Sequence, residues 1–358
     1  MQKEFFELSD NLRNEYLLRT ERFFVLHKNE LVSSFISNFQ SICSVIVKLQ
    51  KESDLSDISH IEYIMDYGDF IERNYTASVW VFGDEWYRDC NRRVIGEYNI
   101  ASLFVFFNEL WDKLLEIRKQ NAGMIRAVGV KEIMLQTILD FYLYLADIAR
   151  LAIVECVESA PFTEIKKSDV FRVCVGEYMN PTKSKIVYVQ CKNKNTDNLK
   201  NCIYEDHSNL DFTGRVYKSS NFHYSQFANS CFDDGSLEGS RLTGSNFRKA
   251  RMENCNLNSS TIHEVDFSYA ILKGASITNV IGPSGILDEK KWVHSGYLPV
   301  RFCYADLSNA NFAGANLIGA DFTGANLTDT NFSNANLNGA IFDGSINKKR
   351  QYEVTSTL

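Results

Sequence analysis

The side chains best suited to chemistry lie in the first half of the chain, and their spacing does not make them converge. Arg88, Arg92 and Arg93 sit within one short stretch. Three guanidinium groups so close could hold an anion or an acidic partner, and a solvated basic turn is the simpler account. Asp66 and Asp69 lie near Glu62 and Glu72. They could pass for an acid–base pair, but a charged helix face explains them as well. His27 and His60 are isolated in sequence and read as surface or half-buried histidines. The nine cysteines are scattered and form no C-x-x-C pair, which argues against a zinc site or a disulfide framework. Cys43, Cys90, Cys156 and Cys174 read as small buried hydrophobes. No phosphate loop, nucleophile elbow, H-E-x-x-H or dinucleotide fingerprint is present. These residues imply no cofactor and no metal.

The elements that would have to position such groups come next. Residues 1–160 contain no proline before Ala160, and their apolar spacing is mainly helical. Leu8, Leu12, Tyr16, Phe23 and Leu26 predict one amphipathic helix, and Leu31 to Leu49 a second. Asn99 is placed to cap a third helix, with Leu103, Phe107, Leu110, Trp111 and Leu114 on one face and Gly123 near its end. Lys131 to Glu158 predicts a fourth, long helix. Ser78–Phe82, then Gly83-Asp84, then Glu85–Tyr87 reads as a β-hairpin, and Ile61–Ile71 as a strand or another helix. The expected domain is α-rich α+β, spanning 1–180. Ile133–Val157 is apolar but interrupted by Asp140, Asp147, Arg150 and Glu155, so a buried helix is expected there and no membrane partner. The first ten residues lack a signal-peptide pattern, and with the unpaired cysteines they point to a cytoplasmic setting.

The second half of the chain has a period of five. From Val300 it reads VRFCY ADLSN ANFAG ANLIG ADFTG ANLTD TNFSN ANLNG AIFDG. Phe302, Leu307, Phe312, Leu317, Phe322, Leu327, Phe332, Leu337 and Phe342 alternate without a break. Two residues before each sits a small residue, nearly always alanine. The same register runs upstream from Phe212 to Ile277, with serine common at the small position. Five matches neither a strand nor a helix. It matches a chain that turns a corner every five residues, with the bulky side chain on the axis and polar residues outside.

This block, residues 210–345, resembles the pentapeptide-repeat family, whose motif is A-[D/N]-[L/F]-x-x. The resemblance implies a right-handed quadrilateral β-helix of 20-residue coils, stacked at roughly 4.8 Å. Asn and Asp before each bulky residue would bond to the local backbone at the turns. The expected organisation is a linker and N-terminal cap at 181–209, a first repeat block at 210–277, and an inserted loop at 278–299. A second block follows at 300–345 and a polar tail at 346–358. Within the linker, Ile186–Val189 is strand-like. Trp292, His294 and Tyr297 of the loop are candidate partner contacts, together with Arg88, Arg92 and Arg93. A plain surface loop is the alternative reading.

A rod filled to its axis with Phe and Leu leaves no room for a substrate. The expected function is therefore a non-enzymatic scaffold or accessory subunit that binds a partner protein, in a bacterial cytoplasm. The open strand edge of the last coil is compatible with a homodimer. The net charge of −7 argues against direct nucleic-acid binding. The resemblance adds an alternative, since some members of the family mimic DNA and protect type II topoisomerases. Against it stands charge. Asp211, Asp233, Asp234, Glu238, Glu253, Glu264 and Asp266 are balanced by Arg215, Lys218, Arg241, Arg248, Lys249, Arg251 and Lys273 in 211–277. Only 305–346, with Asp306, Asp321, Asp329 and Asp343 and no base, is acidic. An enzyme subunit with its site in 1–180 is the further alternative.

Overall fold

The structure is a computed structural model. It describes residues 2–90, 92–120, 127–177, 180–193, 199–285, 291–292 and 298–346. The chain divides into two compact units. One comprises Met1–Lys192 with Asp288–His294, the other Asn193–Leu287 with Ser295–Leu358.

The first unit is helix-rich with a small sheet. Its elements are α1 (Gln2–Lys51), β1 (Ile58–Met65), α2 (Tyr67–Ile71), β2 (Thr76–Phe82), β3 (Arg93–Asn99), α3 (Val105–Gln120), α4 (Ala127–Cys156), α5 (Ala160–Glu164), β4 (Lys167–Glu177) and β5 (Asn180–Cys191). The two helices expected at its start are one continuous helix of 50 residues. Over its first half the expected stripe is not the fully buried one, with Leu12, Tyr16 and Phe23 half-buried. Leu8 and Leu26 are exposed, whereas Leu17, Leu18, Phe24, Phe35, Phe39, Ile42 and Ile46 are buried. The third helix starts after a 3-10 turn at Ala101–Phe104, and the Asn99 side chain accepts from the Ala101 amide at 2.9 Å. Leu103, Phe107, Leu110 and Leu114 are core, as their spacing predicts. Gly123 lies outside the described residues.

The sheet order is β3-β2-β1-β4-β5, with β1 and β4 parallel and the other pairs antiparallel. β1 is buried along its whole length, as a central strand covered on both faces must be. On one face Tyr63 packs on Phe35 of α1 at 4.7 Å between ring centroids. Gly96 of β3 lies so close to α1 that a Cβ would stand 2.4 Å from Ile42 Cδ1. Two sequence expectations change here. Trp86–Arg88 is a 3-10 turn, not a strand, so β2 pairs with β1 and β3 rather than with residues 85–87. Ile61–Ile71 is both strand and helix, ending β1 and containing α2. The strand-like Ile186–Val189 belongs to β5 of this sheet, so it is neither linker nor cap.

In the second unit, parallel bridges join each block to the one twenty residues later, from Asn201↔Asn221 to Ile281, which pairs onward with Asn316. Four blocks therefore make one coil. The bulky positions from Phe212 to Leu327 are almost without exposure, and Leu337 and Phe342 close the described array half-buried. The first bridges start at Asn201, so two more inward positions, Cys202 and His207, precede Phe212.

Three features build the corners. Asx side chains accept the amide two residues on, as in Asp211–Thr213 at 2.9 Å and Asp321–Thr323 at 2.9 Å. The residue two after each bulky one takes positive φ in the regular blocks, for example Asn229 (58°), Lys249 (56°), Tyr304 (58°) and Gly324 (66°). Asn, Asp and Gly pay little for that conformation, which accounts for their frequency there. Serine at the small position donates to the carbonyl 23 residues earlier, as Ser230 does to His207 and Ser240 to Tyr217, both at 2.8 Å.

Across the inserted loop the pairing offset becomes 35, with Asp266↔Arg301, Ile271↔Asp306 and Ile281↔Asn316. The loop thus adds 15 residues to one coil without shifting the register. The join is filled by an exchange of sizes. Gly282 takes a bulky position, and Val300, fully buried, takes a small one. A Cβ on Gly282 would lie 2.8 Å from Val300 Cγ2 and 2.9 Å from Ile262 Cγ1.

Candidate functional site

Within the first unit, the strongest concentration of chemistry surrounds Glu62 on β1. Its carboxylate is fully buried and accepts from Tyr87 Oη at 2.9 Å, Trp86 Nε1 at 3.2 Å and Ser184 Oγ at 2.5 Å. Burial pushes its pKa up, and the three donors oppose that shift. Glu62 is therefore not part of a charged helix face, and Asp66 is instead the N-cap of α2. Beside it, His60 is stacked on Trp86 at 4.6 Å with planes 3° apart. His60 is buried rather than superficial, and burial with the nearby Arg172 holds its pKa down at about 4. The 3-10 turn exists to lay Trp86 and Tyr87 over this face of β1, and Trp86 adopts φ of 51° to do so. Both carboxylate oxygens of Glu62 accept from side chains of the fold itself, so the cluster holds Trp86, Tyr87 and Ser184 onto this face of the sheet.

The arginine group does not converge. Arg93 pairs with Asp54 at 2.8 Å, Arg92 donates to the Tyr87 carbonyl, and Arg88 is exposed. Trp292 is half-buried and belongs to the helical unit. Its Nε1 donates to Tyr144 Oη at 2.9 Å and lies 3.4 Å from the buried Glu21 carboxylate. That indole is committed to packing rather than presented to a partner. His294 and Tyr297 lie outside the described residues. Cys43, Cys156 and Cys174 are buried, with burial raising the thiol pKa of Cys43 to about 12 and of Cys156 to about 11, while Cys90 is exposed. One half-open pocket of about 210 Å³ lies beside α1 and the end of β3, lined by His27, Glu30, Ser34, Tyr98 and Asn99 among others.

The repeat unit offers its outside. Four columns of outward residues run along it, one per corner. One column, Val216, Ser236, Asn256, Ser276, Asn311 and Asn331, has no charge. Ion pairs between coils lie around these columns: Arg251–Asp233 at 2.5 Å, Arg248–Asp266 at 3.3 Å and, beside the uncharged column itself, Lys218–Glu238 at 2.8 Å. Two of the basic side chains that would oppose a DNA mimic, Arg248 and Arg251, are thus paired. Farther on, Tyr269 and Tyr304 stack at 5.2 Å and both are about half exposed, with Arg248 over the Tyr269 ring. The exposed Ile271 and Ile281 lie in the same coil as Tyr269. Sequence reasoning missed this patch. Tyr269 and Tyr304 fall 35 residues apart, and only the offset across the loop brings them together.

Comparison with known families agrees with the period of five. A family model for pentapeptide repeats matches in eight copies, over 220–258 and 305–344. These segments are pentapeptide repeats. No curated protein matches the chain in sequence. Among solved structures, the pentapeptide-repeat protein Rfr23 of the cyanobacterium Cyanothece 51142 is 23% identical over 31% of this chain, with a TM-score of 0.15. The match spans 63% of Rfr23. HetL of Nostoc sp. strain PCC 7120, involved in heterocyst differentiation regulation, is 19% identical over 43% of this chain and 92% of its own, with a TM-score of 0.18. QnrB1, a plasmid-mediated fluoroquinolone resistance protein, is 18% identical over 41% of this chain and 95% of its own, with a TM-score of 0.19. Pentapeptide-repeat proteins have a right-handed β-helix fold. None of these likenesses extends an argument to residues 1–192.

Proposed function

We propose that the pentapeptide-repeat array of this chain is a right-handed quadrilateral β-helix that acts as a non-enzymatic protein-binding scaffold in the cytoplasm. The observation that carries this is the filled axis. Inward side chains from Phe212 to Leu327 are buried against one another along the axis, which leaves the outer faces as the surface for recognition. The Tyr269–Tyr304 patch is the best-suited contact on those faces, because stacked, half-exposed aromatics give large contact area at small entropic cost. The helical unit contributes a folded body with no convergent reactive group among its described residues.

Affinity purification from native lysate tests this. The intact chain should retain a specific protein that the Tyr269→Ala/Tyr304→Ala variant does not. Identical retention by both would count against the assigned face, and no specific protein on either would count against the scaffold. The acidic stretch 305–346 keeps topoisomerase protection as a second reading. A gyrase supercoiling assay separates the two, since a scaffold for another protein gives neither inhibition nor rescue from a quinolone.

A further inference from the structure

We propose that Cys202, Glu205 and His207 form a binding site for a zinc-class divalent ion at the first coil of the repeat array. All three occupy inward slots. Cys202 and His207 take bulky positions, where the rungs above carry Phe222, Leu242 and Ile262 or Phe227, Phe247 and Phe267, and Glu205 takes a small position, where the array places no other carboxylate. A hydrocarbon interior that begins with thiol, carboxylate and imidazole on three neighbouring slots departs from the array's own rule.

The geometry brings them together. One donor atom from each lies within 4.8 Å of the other two. His207 Nε2 is 3.2 Å from Glu205 Oε2. Cys202 and His207 are buried, at 7% and 3% exposure, and Glu205 is half-buried. The His207 ring lies flat on Phe227, 5.4 Å away with planes 19° apart, so its nitrogens point sideways within the coil. Neither nitrogen makes a well-formed hydrogen bond, although both are buried. A buried imidazole left in this state is costly, and a metal ion is a partner that satisfies it.

The donor set selects the ion. Thiolate, imidazole and carboxylate suit zinc, whose bonds of roughly 2.0–2.3 Å set tetrahedral donors roughly 3.3–3.7 Å apart; His207 and Glu205 already stand at about that separation, and the set, within 4.8 Å overall, closes with side-chain adjustment of up to about an ångström. Three protein ligands leave a fourth position for water. The backbone is already fixed by coil pairing, with the Cys202 amide bonded to the Asn221 carbonyl at 2.9 Å and the His207 amide to the Gln226 carbonyl at 2.8 Å. The ion would sit at the end of the array where its described bridges begin.

The test uses the full chain, stripped with a chelator and titrated with Zn²⁺ against a chromophoric competitor, and separately with Co²⁺. Wild type should bind one Zn²⁺ per chain, and its Co²⁺ form should show a thiolate charge-transfer band and tetrahedral ligand-field bands. Cys202→Ser should lose the charge-transfer band, and Glu205→Gln should weaken Zn²⁺ binding at least tenfold. His207→Phe should also weaken binding at least tenfold, yet melt no lower than metal-free wild type, because Phe continues the stack on Phe227. Zn²⁺ uptake or a Co²⁺ spectrum the same in wild type and in these variants would overturn the proposal, as would wild type that binds no stoichiometric ion.

Discussion

The two halves of the repeat array solve one packing problem with different small residues. In the first half serine is the commonest residue in the small slot. Ser225, Ser230, Ser240, Ser245 and Ser260 each donate to a carbonyl 23 residues back. In the second half Ala305, Ala310, Ala315, Ala320 and Ala325 fill that slot, and only Thr330 restores the bond, to Leu307 at 2.9 Å. The alanine half relies on order in the large residues instead. Strict Phe/Leu alternation with four blocks per coil sets Phe over Phe, so Phe302, Phe322 and Phe342 stack at 5.0 Å per step. This column starts in the first half, where Phe227, Phe247 and Phe267 stack and lead on to Phe302, while the other first-half columns mix residue types; the alanine half adds a second aromatic column, Phe312 on Phe332 at 5.0 Å.

The largest break in this comparison is Phe322→Ala, which removes the ring between Phe302 and Phe342 in their column. It should cost about 3–5 kcal/mol by denaturant melting, and a loss below about 1 kcal/mol would remove the column from the account. A contrast of units comes next. His60 is held neutral in the fold with a pKa of about 4, below its ordinary 6.5. The unfolded chain then binds more protons between those values, so stability falls as pH drops from 6.5 to 4, by up to roughly 3 kcal/mol. His60→Gln should flatten that acid limb of the helical unit's melting profile, and an unchanged slope would contradict the assignment.

The join between the halves gives a third case. Gly282→Ala should cost about 1–3 kcal/mol by overpacking against Val300 and Ile262. Adding Val300→Ala should return part of that loss, and strict additivity in the double-mutant cycle would show that the two sites do not exchange volume. The smallest effect separates two serines. Ser240 Oγ donates to Tyr217 and also accepts from the Ser220 amide at 3.1 Å, whereas Ser260 Oγ donates to Leu237, whose carbonyl already accepts from the Ser240 amide. Ser240→Ala should cost about 1–3 kcal/mol and Ser260→Ala about 1 kcal/mol. Equal melting shifts would refute the distinction.

Sequence made the repeat legible because each block repeats one environment, so a side chain's slot follows from its register. The same logic failed at the first coil and at the join. Cys202 and His207 obey the register but not the composition, and Gly282 and Val300 compensate each other across a loop. The helical unit was less legible for a different reason. Along α1 the neighbours change, from α4 beside Glu21 and Phe24 to β1 and β3 beside Phe35 and Ile42, so the buried stripe does not hold one helical phase. Glu62 and His60 sit on a fully buried strand, where alternation gives no sign of what covers them.

The central claim is that this array works through its outside alone. Once a partner is in hand, binding by isothermal titration to two variants tests it most directly. Leu257→Met changes a fully buried rung at nearly constant volume, and Tyr304→Ala trims an exposed ring. The account predicts wild-type affinity for the first and at least a tenfold loss for the second; a loss with the first and none with the second would contradict it.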